Sequence, residues 1–126
     1  MAKVAILGHG VVGSGTAQVL MMNQDGIAKR AGEAVEVKYI LDIRDFPDLP
    51  YADRFTKDIQ VILDDPEVEV VAEVIGGLKP AYDFVSRCLK AGKSVVTSNK
   101  ELVAAKGAEL LQTAKEHGVL FLFEAS

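Results

Sequence analysis

Five short, nearly continuous apolar runs recur along this chain, and they constrain its fold more than any other feature. They are KVAILG (3–8), VEVKYIL (35–41), VEVVAEVI (68–75), SVVT (94–97) and VLFLFE (119–124). All are rich in Val, Ile, Leu or Phe, and most lack the polar–apolar alternation of a half-exposed strand. Such runs fit parallel strands covered on both faces. A weaker run, RFT (54–56), is a further candidate.

Helical patterns fill the gaps. Residues 11 to about 30 place Val12, Thr16, Val19, Leu20 and Ile27 near one face. DIQVILDD (58–65) reads as a short helix capped by Asp58. PAYDFVSRCLKAG has Pro80 in its first turn and stops at Gly92. Its Val85, Cys88 and Leu89 share a face, so Cys88 is expected in the core. The segment from Ser98 to Gly118 opens with a capping box, Ser98 with Glu101, and closes on His117 and Gly118. His117 is read as structural, favourable at the negative end of the helix dipole. A β-α-β alternation of this kind predicts one Rossmann-type α/β domain over 1–126: a doubly wound, mostly parallel sheet with helices on both faces. The loop 42–53, with two prolines, is the least regular region.

Composition narrows the function classes. A net charge of −4, without long runs of one sign, argues against nucleic acid as the main partner. A single cysteine excludes an internal disulfide framework and suits a reducing compartment. The apolar start is too short for a signal peptide, and no run reaches a membrane span. The expectation is a cytoplasmic domain with no membrane partner.

Gly8, Gly10 and Gly13 form G-x-G-x-x-G directly after a strand and at the opening of a helix. The first glycine permits a tight turn. The second lets the backbone approach a pyrophosphate, and the third lets helix and strand pack closely. Phosphates then rest on helical N–H groups at the positive end of the dipole. The same glycines would also serve a plain tight turn with no ligand. His9 fills a position where the backbone matters more than the ring, and no metal is expected there.

Asp42, at the end of the second run, is the candidate for accepting from the adenine ribose hydroxyls. Arg44, two positions on, could instead pair a 2′-phosphate. NAD and NADP both stay open. Gly76 and Gly77 end the third run, where a ribose could approach or a plain loop could turn. TSNKE follows the fourth run, with Asn99 and Lys100 in the first turn of a helix. A lysine there opposes the dipole at a cost of roughly 0.3–1 kcal/mol, which suggests either a site facing a carbonyl or carboxylate or a solvated surface position.

Taken together, ILGHGVVGSG, ILDIRDFPD, EVIGGLKP, VVTSNKELVA and LFLFEAS resemble the N-terminal cofactor domain of the homoserine dehydrogenases, in that family's order and over almost the whole chain. The glycine motif is shared with many dehydrogenases; EVIGG, T-x-N-K and FEAS are more specific. Ser98 stands where the family usually has alanine. The resemblance implies NAD(P)-dependent interconversion of aspartate 4-semialdehyde and homoserine in threonine and methionine biosynthesis. It implies phosphate contacts at Gly10, Val11, Val12 and Gly13, a 2′-phosphate contact at Arg44, and nicotinamide-side contacts around Thr97, Ser98 and Asn99. Lys100 would lie beside nicotinamide and substrate as the catalytic residue. Glu124 would give its carbonyl to a monovalent cation such as Na+.

The substrate-binding and dimerisation domain of that family is missing from these 126 residues. The expectation is therefore a cofactor domain without turnover of its own, belonging to a homodimer or larger assembly that acts on a small molecule. Two other readings are a regulatory nucleotide-sensing domain of the same fold and the cofactor domain of another aldehyde or amino-acid dehydrogenase. TSNKE and FEAS argue against the sensor.

Overall fold

The computed structural model describes residues 2–8, 35–42, 47–48, 52–75 and 77–123. Within them lie strands β1 (Ala2–Leu7), β2 (Val35–Leu41), β3 (Phe55–Thr56), β4 (Val68–Glu73), β5 (Ser94–Thr97) and β6 (Phe121–Phe123). A 3-10 turn spans Ala52–Arg54, and helices α1 (Ile59–Leu63), α2 (Ala81–Lys90) and α3 (Lys100–Glu116) separate the later strands. The six strands form one sheet in the order β3-β2-β1-β4-β5-β6, and every pairing is parallel. Each of the five apolar runs, and the weaker RFT, contributes one strand. The expected helix over 11–30 lies outside the described residues.

The three helices pack on one face of the sheet. Ala5, Leu7, Leu41, Val71, Val95 and Phe121 of the strands meet Ile62 of α1, Val85, Cys88 and Leu89 of α2, and Leu102 and Leu110 of α3. Burial of side chains of this size stabilises by about 1.5–3 kcal/mol each before entropy is counted. On the opposite face Ile6, Val37 and Ile40 form a second buried group with Phe55, Ala72 and Val74 against it. Burial pushes the Cys88 thiol up to about 12, so it packs as a small apolar side chain.

Local capping follows the sequence in most places. Asp58 accepts from the Gln60 amide at 2.9 Å, as expected of the N-cap of α1. Pro80 sits at the N-cap of α2 rather than inside its first turn. His117 caps the C-terminus of α3, its Nδ1 is 2.9 Å from the Thr113 carbonyl, and Gly118 follows at φ +68°. The Ser98–Glu101 capping box does not form. α3 starts one residue later, with Asn99 as N-cap and its Oδ1 accepting from the Leu102 amide at 3.1 Å.

The register matters most for function. Thr56, Leu41, Leu7, Glu73, Thr97 and Phe123, the last residues of their strands, lie side by side in one row. Whatever follows each strand therefore emerges along a single edge.

Candidate functional site

The chain reverses its direction of travel across the sheet between β1 and β4, which are neighbours although β2 and β3 intervene in sequence. Ligands of open α/β sheets bind in the crevice beyond the carboxyl ends of the strands at such a switch point. A cleft of about 230 Å³ opens there, lined by Gly8, Leu41, Asp42, Lys57, Ile75, Pro80 and Phe84.

Gly8 lines this cleft directly after β1. Its amide donates to the Leu41 carbonyl at 2.7 Å, so the β1 turn is tied to the end of β2. Its φ is +100°, a conformation that L side chains rarely adopt. A Cβ there would also lie 3.0 Å from Ile75 Cγ1 and 3.1 Å from Ile75 Cα, on the far side of the switch point. The glycine thus serves two needs, the turn and the close approach of the β1 and β4 loops. Only the first was legible in the motif.

Asp42 follows β2 and is held by its amide, which donates to the Thr56 carbonyl at 3.1 Å. Lys57, which sequence reasoning did not single out, lines the same cleft from the end of β3. An acid and a base therefore share the corner where an adenosine ribose would be read. Leu41, Ile75, Pro80 and Phe84 supply apolar walls suited to a flat ring. A cradle of glycine, carboxylate, ammonium and apolar wall fits a dinucleotide's adenosine half. Gly10, Val11, Val12, Gly13, Arg44, Gly76 and Glu124 lie outside the described residues, as does His9.

The other half of the edge is held by a polar chain that begins at Glu73. This carboxylate is fully buried at the end of β4. One oxygen accepts from the Thr97 hydroxyl of β5 and the other from the Ile75 amide, both at 2.7 Å. Thr97 Oγ1 in turn accepts from the Asn99 amide at 2.9 Å. Asn99 Nδ2 donates to the Gly77 carbonyl at 2.5 Å, while its Oδ1 caps α3. Gly77 is exposed at φ +72°, and a Cβ there would meet nothing closer than 4.0 Å, so its constraint is conformational. Lys100, the first residue of α3, is exposed, as is Ser98.

Glu73 was missed because it stands within an apolar run. The available signal was its charge inside a central parallel strand, where a buried carboxylate must find partners. Among the described residues no group of three or more His, Cys, Asp or Glu side chains could hold a metal ion, and no helix is long and apolar enough to cross a membrane.

Comparison with known proteins adds the chemistry that geometry leaves general. Residues 8–124 match the family model described as the NAD binding domain of homoserine dehydrogenase. A homoserine dehydrogenase from Pseudomonas aeruginosa is 43% identical over 98% of this chain and 29% of its own length. One from Bacillus subtilis is 40% identical over the same shares. The crystal structure of a homoserine dehydrogenase from Thiobacillus denitrificans superposes at a TM-score of 0.87 with 39% identity, covering 97% of this chain and 29% of that one. The Staphylococcus aureus enzyme at pH 6.0 gives 0.85 and 34%, over 98% and 32%. The chain thus spans about 29% of the length of these curated relatives.

Proposed function

The chain belongs to the homoserine dehydrogenase family as its NAD-binding domain, and on that premise we propose that the protein carrying it interconverts aspartate 4-semialdehyde and homoserine with NAD(P). Bound nicotinamide supplies the hydride acceptor or donor. This chain's residues bind and orient. Gly8 and the Gly10–Gly13 turn receive the pyrophosphate, Asp42 and Lys57 meet the adenosine ribose, and Gly77, Ser98, Asn99 and Lys100 border the nicotinamide end, with Thr97 buried behind them. Lys100 is the residue assigned to face the reacting carbonyl. Its placement at the N-terminus of α3, where a cation opposes the dipole, is the support within this chain.

The observation that carries the reading is the shared edge. Gly8, Asp42, Lys57, Gly77 and Lys100 come from separate parts of the sequence, yet all follow strand ends that stand in one row. The 126 residues form one cofactor domain in this reading. Substrate binding and dimerisation belong to the remainder of a protein as long as its relatives. A Na+ site at Glu124 rests on the family resemblance, and a cytoplasmic location on the single cysteine, which suits a reducing compartment.

Calorimetric titration tests the reading. The chain is expected to bind NADH or NADPH, and Gly10→Val to abolish binding by placing a branched side chain where the pyrophosphate approaches. Equal affinities for the two proteins would sink it. Arg44→Ala and Lys57→Ala are each expected to weaken NADPH selectively, by up to the roughly 1.5–3 kcal/mol of a charge-assisted hydrogen bond. A selective loss of NADH in Asp42→Ala would point to the ribose diol instead. Homoserine added with NAD(P) to this chain alone is expected to yield no reduced cofactor, because a substrate held near the nicotinamide can be worth about 7–11 kcal/mol.

A further inference from the structure

We infer that Glu73 and Thr97 are positioning residues for the nicotinamide end of the site, acting through the two loops that carry Gly77 and Lys100. The inference rests on the cofactor reading above and goes beyond it, because neither side chain is expected to touch the ligand.

Three observations support it. The first is placement: Glu73 and Thr97 are register partners and the last residues of β4 and β5. Their neighbours toward β2 in the same row are Leu7 and Leu41, both apolar. A carboxylate stands in this row on the first strand past the switch point, where packing alone asks for an apolar group. The second is direction. Beyond the bond that joins the two strand ends, this carboxylate and this hydroxyl each accept from an amide of the loop that follows their own strand. Ile75 N–H donates to Glu73, Asn99 N–H donates to Thr97, and Asn99 bridges to the Gly77 carbonyl and to Leu102. The third is burial. Glu73 is fully buried and Thr97 and Asn99 nearly so, whereas Gly77, at one end of the bonds, and Ser98 and Lys100, on either side of Asn99, are exposed. A buried, hydrogen-bonded network holds its members in one geometry, and groups attached to it inherit that geometry. The exposed glycine loop and the first turn of α3 are thereby set relative to each other through the Gly77 carbonyl, although 22 residues separate Asn99 from Gly77.

The test compares NADH with ADP-ribose, which lacks the nicotinamide end. Thr97→Val keeps the side-chain shape and removes both hydroxyl bonds. It is expected to weaken NADH about tenfold, to leave ADP-ribose unchanged, and to speed hydrogen exchange at the Asn99 amide. Thr97→Ser is expected to restore all three. Glu73→Gln, which turns an amide toward the Ile75 N–H or the Thr97 hydroxyl, is expected to show the same asymmetry between ligands; it keeps the measurement available should Thr97→Val not fold. A parent that binds both ligands, with variants that match it for NADH or lose both ligands equally, overturns the inference alone. A parent that binds neither ligand overturns the cofactor reading and this inference with it.

Discussion

The two ends of β4 solve the same problem in opposite ways. Each carries an acid and a partner from the beginning or end of β5. At the entrance, Asp65 accepts from the Tyr39 hydroxyl at 2.7 Å and pairs with Lys38 at 2.5 Å, while buried Lys93 donates to the carbonyls of Asp65 and Val68 at 2.7 and 2.9 Å. Lys38 and Tyr39 hold the Asp65 carboxyl down at about 2, and burial holds the Lys93 ammonium below its ordinary range. At the exit, Glu73 is met by a hydroxyl and a backbone amide. The entrance matches charge to charge and closes on the chain's own carbonyls. At the exit a hydroxyl and an amide donate to the acid, and the bonds continue into loops that end exposed. The difference teaches that a parallel sheet can tie down one edge with ion pairs while, in the proposed cofactor reading, the other sets ligand geometry, because the loops leaving the strands emerge together at the carboxyl edge.

The strongest break in this comparison is Gly8→Val. Backbone strain and overpacking against Ile75 are expected to cost about 2–5 kcal/mol together, with loss of cofactor binding, read by denaturant unfolding and titration. A variant as stable as the parent would show that the β1 turn can relax away from β4. Next is Lys93→Met at the entrance. It leaves two carbonyls without their donor and should cost about 1–3 kcal/mol while cofactor affinity stays unchanged. A loss of affinity there would erase the division between the edges.

Acid titration sharpens the same contrast. The folded Asp65 carboxyl lies below its unfolded value of 3.8. Its stabilisation is therefore present above about pH 4 and is lost as the pH falls toward 2. The loss is expected to be about 1–2 kcal/mol after solvent screening of the partly exposed pair. Asp65→Asn should remove this part of the acid dependence; an unchanged slope between pH 4 and 2 would place the titration elsewhere. The smallest effects lie at the start of α3. Asn99→Ala should cost about 0.5–2 kcal/mol as a lost cap, and Ser98→Ala less than about 0.5 kcal/mol. The reverse order in thermal unfolding would reinstate Ser98 as the cap.

How much of this was legible in the chain varies with distance. The strand runs, Asp58 as a cap, Gly118 as a stop and Cys88 in the core can all be read from a pattern a few residues long, and all stand where the pattern put them. Ser98 and Asn99 are both good caps by local chemistry. What separates them is that Thr97 holds the Asn99 amide while Gly77, on another loop, takes its side-chain amide. Lys57 joins the cleft only because β3 pairs with the end of β2.

By itself the sequence determined the parallel α/β class, through apolar runs too continuous for a half-exposed sheet, and the need for a glycine directly after β1, where the backbone turns at a positive φ. Only the tertiary structure decided that Gly8 must clear Ile75, that Glu73 and Thr97 stand side by side, and that Lys100 follows a cap shared with Gly77. The reason is physical. Propensity and capping act over one helical turn, whereas the groups that share this edge are brought together by the register of strands far apart in the chain.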